Sequence, residues 1–277
     1  NVKELFAAFP EAYATVFSGF YIVFMLVLLA LIARAVSLDF RSKVASPAWR
    51  HTWDKVFFLS STLATLLFGV GVGNAMVGVP LSSRGIYDGG FVELLNPYSV
   101  LVGLLAIAMF VMHGCIFLHL KTTGELQQRI YKWMWRSYVG FVAMYVIVTI
   151  ATWIYVPRAT APFSSMPIAW LIVAINLLAV LSIPWALRRH WSGRAFVASC
   201  LTVAAFVLLL GIALFPNLVT SSPHPENSLT IYNAASSEKT LGIMLIVAGI
   251  GMPFVIAYTS VIYWVFRDRV EIGSESS

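Results

Sequence analysis

The sequence has very little charge, and none of it lies in the middle of the long apolar runs. Charged residues make up 11% of the 277 residues, hydrophobic residues make up 60%, and the mean hydropathy is +0.85. A soluble domain is about half apolar and about a quarter charged. The composition therefore excludes a water-soluble protein. The useful unit is an apolar run able to cross about 30 Å of hydrocarbon, which takes roughly 20 helical residues.

The apolar runs also lack the residue sets that several function classes need. They contain no central Asp, Glu, Lys or Arg, which an ion-coupled transporter normally requires. No Ser/His/Asp, Cys/His or HExxH set is present for hydrolysis. The two cysteines, Cys115 and Cys200, both fall inside apolar runs, so we expect free packing residues and no disulfide or metal site. We expect no catalytic residue in this chain.

Seven apolar runs remain, and they predict the fold. None alternates polar and apolar residues as a barrel strand would, so each run is expected to be a helix. The sequence predicts an all-α, polytopic transmembrane helical bundle that forms a single integral membrane domain over residues 1–277. The predicted spans are 13–33, 56–80, 97–120, 137–157, 168–187, 195–218 and 240–266.

The basic residues of the loops predict the orientation. They divide into two groups that alternate along the chain, one of fourteen residues and one of four. The smaller group is Lys3, Arg84, Arg158 and Lys239. The larger group is Arg34, Arg41, Lys43, Arg50, Lys55, Lys121, Arg129, Lys132, Arg136, Arg188, Arg189, Arg194, Arg267 and Arg269. Because cytoplasmic loops are rich in Lys and Arg, the larger group and the C-terminus are expected in the cytoplasm. This topology accounts for the pI of 9.4, which gives no indication of nucleic-acid binding.

Few polar groups lie inside the spans, and two of them are candidates for subunit contact. His113 is an ionisable residue well inside its span, where burial is costly and a functional role is the default hypothesis. It could ligate a haem or form an interhelical or subunit hydrogen bond. A haem would need a second axial ligand, and no other span contains a histidine. His119 lies next to Lys121 and is expected to extend to the membrane surface.

Asn74 is the second candidate, and it lies in the glycine-rich stretch FGVGVGNAMVGVP. This stretch lacks the GxGxxG spacing and the preceding strand of a nucleotide loop. Gly69 and Gly73 instead form a small-xxx-small pair, which allows another helix to approach closely. We therefore expect helix packing at this position.

Segments along nearly the whole chain resemble subunit II of cytochrome bd-type quinol oxidases. They are FAAFPEAYATVFSGFY at 6–21, LDFRSK at 38–43, WRHTWDKVF at 49–57, GVGNAMVGVPL at 71–81, LLNPYSVLVGLLAIAMFVMHG at 94–114, KTTGELQQR at 121–129, SLTIYNAASSEKTLGIML at 228–245 and YWVFRDRV at 263–270. Each segment alone is weakly specific, but their order and spacing together are strongly so.

The resemblance implies an oxygen-reducing, quinol-oxidising complex that generates proton motive force in the bacterial inner membrane. In that family the partner, subunit I, carries haem b and haem d with their axial ligands. Subunit II is an accessory helical bundle that ligates no metal or haem, packs on subunit I and can hold a structural quinone. Small accessory subunits and membrane lipid are further expected partners. The alternatives from the residues alone are a stand-alone transporter or a scaffold protein.

The family pattern has nine spans, whereas this sequence predicts seven. The opening NVKEL fits poorly where the family has a longer segment. We expect the first two helices of the family pattern, with their proton-path residues, to lie upstream of this sequence. No proton-path residue is therefore assigned here.

Overall fold

The computed structural model describes residues 7–267, without the side chains of Ser164 and Ser165. Lys3, the NVKEL segment and Arg269 lie outside the described residues. The helices are α1 (Pro10–Gly19), α2 (Tyr21–Arg41), α3 (Pro47–Val77), α4 (Pro97–Lys121), α5 (Gly124–Tyr155), α6 (Pro162–Ser165), α7 (Pro167–Arg188), α8 (Ser192–Leu214) and α9 (Glu238–Val265). Two short strands, β1 (Asn217–Val219) and β2 (Leu229–Thr230), pair antiparallel. The described residues also include three 3-10 turns, Phe91–Leu95, Pro157–Thr160 and Pro225–Asn227.

Seven of these helices are long and apolar enough to span a membrane, namely α2, α3, α4, α5, α7, α8 and α9. The predicted all-α polytopic bundle is confirmed. The first span lies at Tyr21–Arg41 rather than at 13–33, because the helix is interrupted at Phe20, between the end of α1 and the start of α2. On the basic side, each predicted span stops at the nearest charged residue. The helices continue past such charges, since Arg34 and Arg41 are long enough to extend from a helix end toward water.

The bundle core lies between α4, α5, α7 and α8. Met112, Ile116, Phe141 and Ile183 are completely buried in it. Helix α3 packs between α2 and α4, and α4 also contacts α8, so α4 joins the two parts of the bundle. A second core, which includes Leu67, is formed by α1, α2, α3 and the loops beyond them.

Three of the family-like segments, LDFRSK, WRHTWDKVF and KTTGELQQR, lie at the basic end of the bundle, defined here as the end that carries residues 42–46, 122–123 and 189–191. In the α2–α3 turn, Arg41 Nε donates to Asp54 Oδ1 at 2.6 Å and Trp49 Nε1 donates to the Phe40 carbonyl at 2.7 Å. In KTTGELQQR, Gly124 has a φ of 67°, a conformation that favours glycine. Gln127 Nε2 then donates back to the His119 carbonyl at 3.0 Å. The KTTGELQQR pattern therefore closes the α4–α5 hairpin.

His119 differs from its prediction. It is only 7% exposed, and its Nδ1 lies 2.9 Å from Ser192 Oγ, so it does not extend to the membrane surface. Its ring also lies 5.8 Å from that of Tyr131. The reason is that α8 begins at Ser192, directly beside the end of α4, and covers the imidazole. His119 therefore joins three helices at the basic end.

The last helix, α9, is packed differently from the others. No residue in it is buried, and Leu245 and Phe254 are 74% and 72% exposed. Lys121 Nζ donates to the Phe266 carbonyl at 2.6 Å, so the end of α9 lies at the basic end of the bundle. Almost the whole apolar surface of α9 is therefore available to lipid or to another subunit.

Candidate functional site

Asn74 is buried at the contact between α3 and the turn before α4. Its Nδ2 donates to the Leu94 carbonyl at 2.7 Å and to the Val70 carbonyl at 2.9 Å. Its Oδ1 accepts from Asn96 Nδ2 at 3.0 Å, and Asn96 caps α4 by accepting from the Ser99 backbone N–H. The amide hydrogens are thus both used within the chain. A contact between Asn74 and another subunit stays a prediction.

His113 is half-buried between α4 and α8. Its Nδ1 lies 2.9 Å from Ser199 Oγ, and its ring centroid lies 5.3 Å from that of Phe196. Ser199 Oγ donates its single proton to the Phe196 carbonyl at 2.7 Å, so it accepts from the imidazole, and Nδ1 carries the hydrogen. The interhelical hydrogen bond is one of the roles considered for His113. Its role in subunit contact stays a prediction.

Asn176 is the third polar group at the centre of the bundle, and it is completely buried. Tyr145 Oη donates to Asn176 Oδ1 at 2.9 Å, and Asn176 Nδ2 donates to the Thr202 carbonyl at 3.3 Å. These bonds connect α5, α7 and α8. Asn74, His113 and Asn176 therefore each stabilise a different helix contact, and they do not converge on one reaction centre.

The described residues offer no group of three or more His, Cys, Asp and Glu side chains that could hold a metal. Cys115 and Cys200 are both free thiols. At His113, Nδ1 contacts Ser199 and the Phe196 ring lies beside the imidazole, so haem ligation by Nε2 stays a question for experiment.

A cavity of about 280 Å³ lies between α1, α2, α3 and β1, and Leu210 of α8 also lines it. Its walls are almost entirely apolar, and Asn74 and Thr220 supply the polar atoms among its lining side chains. Gly71 also lines it, and a Cβ placed on this glycine would meet open space. A cavity of this character suits a hydrocarbon or isoprenoid group better than a polar substrate.

Arg158 is a half-buried cation at the end of the bundle opposite the basic turns. Its Nη1 donates to Thr220 Oγ1 at 2.8 Å, and its Nη2 donates to the Met76 carbonyl. Burial lowers the pKa of this guanidinium from its ordinary value. From the sequence, Arg158 contributed only to the predicted orientation. The available signal for a structural role was its position directly after Pro157, at the end of a predicted span.

Residues 2–266 match the family described as cytochrome bd terminal oxidase subunit II. The chain is 34% identical to the cytochrome bd-I ubiquinol oxidase subunit 2 of Escherichia coli K12, covering 96% of this chain and 78% of that protein. It is 35% identical to the cytochrome bd ubiquinol oxidase subunit 2 of Bacillus subtilis 168, with the same coverage. A chain of the bd oxidase structure from Geobacillus thermodenitrificans has a similar fold, with a TM-score of 0.74, 17% identity, and coverage of 93% of this chain and 77% of that one.

Proposed function

This chain belongs to the cytochrome bd terminal oxidase subunit II family, and from that membership we propose that it is the accessory subunit of a quinol:oxygen oxidoreductase. The match carries the proposal because it includes all seven spans of the described chain rather than one motif. In this proposal the chain ligates no haem and packs against a haem-bearing subunit I. Haem b and haem d in subunit I supply the electron transfer from quinol to oxygen, which generates proton motive force.

Helix α9 is the surface we propose for the contact with subunit I. None of its residues is buried within the described chain. An uncovered apolar helix of this kind can pack against a helix of another subunit in the membrane. Small accessory subunits and lipid would cover other exposed faces. A stand-alone transporter has less support, because Asn74, His113 and Asn176 are engaged in separate helix contacts instead of lining one route.

The proposed location is the bacterial inner membrane, with the basic end and the C-terminus in the cytoplasm. The loop charges support this orientation. The ends of α4, α8 and α9 that carry basic residues also lie together, since His119 contacts Ser192 and Lys121 contacts Phe266.

We propose further that the apolar cavity holds part of a structural quinone. The cavity fits an isoprenoid chain, whereas the Asn74 hydrogens are already donated and Thr220 Oγ1 already accepts from Arg158. Gly71→Leu should fill the cavity and lower the quinone extracted per complex by at least half. Gly140→Leu on α5, which also has open space around it, is the matched control and should leave the quinone content unchanged. Equal quinone content in both variants would contradict the assignment.

The subunit role is tested by purification in mild detergent. The chain should come away with a haem-bearing subunit and show a reduced-minus-oxidised haem spectrum, whereas a colourless lone protein would contradict the proposal. A photo-crosslinker at Phe254 on α9 should capture that subunit. A crosslinker at Leu178 on α7, which is 68% exposed, is the control and should capture lipid.

A further inference from the structure

The turn between α7 and α8 concentrates arginine and tryptophan at the basic end. The Arg189 guanidinium carbon lies 4.8 Å from the Trp185 ring centroid and 5.2 Å from that of Trp191. The Arg194 guanidinium carbon lies 4.1 Å from the same Trp191 ring. The two indoles meet edge to face at 5.0 Å. We call residues 185–194 the arginine–tryptophan turn.

A third arginine belongs to this turn. The Arg188 guanidinium carbon lies 5.8 Å from the Trp135 ring on α5. All three guanidinium groups are exposed, and within residues 7–267 none of them forms an ion pair or a hydrogen bond. Arg41, at the same end of the bundle, has Asp54 as a partner at 2.6 Å. Among residues 7–267, no carboxylate therefore lies within ion-pair distance of these three positive charges.

The indole contacts hold the guanidinium groups of Arg189 and Arg194 in place without using their hydrogen-bond donors. Because these donors have no partner within residues 7–267, they stay available to an oxyanion. Arginine binds phosphate through such paired donors, and a tryptophan contact reduces the side-chain freedom lost on binding.

An apolar stripe continues from this turn along the outside of α7. Leu178, Leu181 and Trp185 are 68%, 65% and 49% exposed, and their spacing places them on one helix face that ends at Arg188. A ligand that contacts both the arginines and the apolar stripe has a phosphate and hydrocarbon chains. A free phosphate would contact only the arginines.

We propose that the arginine–tryptophan turn binds the headgroup of an anionic phospholipid, with the acyl chains lying along Leu178 and Leu181. Basic pockets between helices at a membrane surface bind such headgroups, and the indoles suit the boundary between headgroup and hydrocarbon. The inference goes beyond the oxidase role, because lipid binding here requires no chemistry from the partner subunit.

The test measures phospholipid binding to the purified complex in neutral detergent by native mass spectrometry. The probes are dioleoyl phosphatidylglycerol, dioleoyl phosphatidylcholine and inorganic phosphate. In the Arg188→Gln/Arg189→Gln/Arg194→Gln variant, the apparent affinity for phosphatidylglycerol should fall at least about tenfold, since the charged donors that bind the phosphate directly are lost. The matched control, Lys43→Gln/Arg50→Gln/Lys55→Gln, removes three exposed charges at the same end and should change the affinity less than twofold.

A charge-preserving variant separates the effect of the guanidinium donors from that of net charge. Arg188→Lys/Arg189→Lys/Arg194→Lys keeps the charges but loses the planar donors, and it should weaken phosphatidylglycerol binding severalfold. If the triple Gln variant fails to assemble, which the haem spectrum would reveal, the triple Lys variant is measured in its place. Two results with the variants would overturn the proposal: a loss of phosphatidylglycerol affinity in the control as large as in the triple Gln variant, or wild-type affinity in the triple Lys variant. Two results with the probes would also overturn it: equal binding of phosphatidylcholine, or competition by inorganic phosphate at equal concentration.

Discussion

Gly73 on α3 lies directly against Ser99 on α4: a Cβ placed on the glycine would be 2.5 Å from the Ser99 Cα. One turn earlier, a Cβ on Gly69 would be 2.5 Å from the Gly103 Cα. Both obstructing atoms belong to the backbone, so no side chain can rotate to make room. The two glycines therefore set the distance between α3 and α4.

The first prediction follows from this contact. Gly73→Ala should separate α3 from α4 and destabilise the protein by about 2 kcal/mol, as overpacking does in tight interfaces. Thermal unfolding of the purified complex measures the change. Gly114→Ala on α4 is the control, because a Cβ there meets open space and alanine favours the helix. Equal melting temperatures for the Gly73 variant and the wild type would refute the close-packing role.

Asn74 gives a second prediction. Asn74→Ala should cost about 1–3 kcal/mol, because the Leu94 carbonyl and the Asn96 amide lose their partner in a buried place. Chemical or thermal unfolding provides the measurement. Ser61→Ala is the comparison, since its hydroxyl bonds only to Phe57 of its own helix, and it should cost less than about 1 kcal/mol. If the two variants are equally stable, the Asn74 bridge contributes nothing beyond a local helix bond.

The third prediction separates packing from haem ligation at His113. His113→Gln retains a donor that can reach Ser199 and should leave every haem band of the complex unchanged. Ser199→Ala removes the acceptor of the same bond and should give the same spectrum with slightly lower thermal stability. Reduced-minus-oxidised spectra decide the question, and loss of one haem band in the Gln variant would make His113 a ligand.

Arg158 provides a fourth prediction. Arg158→Met removes the donors to Thr220 and the Met76 carbonyl and should destabilise the protein by about 1–3 kcal/mol. Arg158→Lys should destabilise the protein less than Arg158→Met but more than no substitution, because one ammonium group cannot reproduce the two diverging guanidinium hydrogen bonds. Arg84→Met is the control at the same end, where the side chain is exposed. If it destabilises the protein as much as Arg158→Met does, charge rather than bonding is responsible.

The fifth prediction concerns orientation. In a background with Cys115→Ser and Cys200→Ser, a membrane-impermeant maleimide should label Ser83→Cys on intact spheroplasts. Gly193→Cys, exposed in the first turn of α8, should be labelled only after permeabilisation, because the basic end is expected in the cytoplasm. Labelling of the Gly193 variant from outside would reverse the proposed topology.

The sequence predicted the spans because crossing hydrocarbon imposes a strong local requirement. A run of about 20 apolar residues is visible without knowledge of its neighbours. The ends of the helices were predicted less well. Helices α3 and α5 begin at Pro47 and Gly124, well before the first residues of the predicted spans, because helical hydrogen bonds continue into the charged interfacial region.

The polar residues were found in the sequence, but their partners were not. Asn74 and His113 stood out because polar groups are rare in such runs, whereas Ser199 is one of many serines and gave no signal by itself. The burial of His119 depends on the start of α8, 73 residues further along the chain. Likewise, Arg188, Arg189 and Arg194 could be counted for orientation, but their contacts with three indole rings depend on the geometry of the turn.

The sequence by itself determined that residues 7–267 form a helical bundle with seven candidate spans and with most basic loop residues at one end, because hydrophobicity and charge act residue by residue against lipid and water. Tertiary structure alone decided that Gly73 meets Ser99, that His113 bonds to Ser199 and that α9 stays uncovered. Inside a membrane every helix is apolar, so hydrophobicity does not select which helices pair. Helix pairing depends on close contact and on a few hydrogen bonds, and these exist only once the chain is folded.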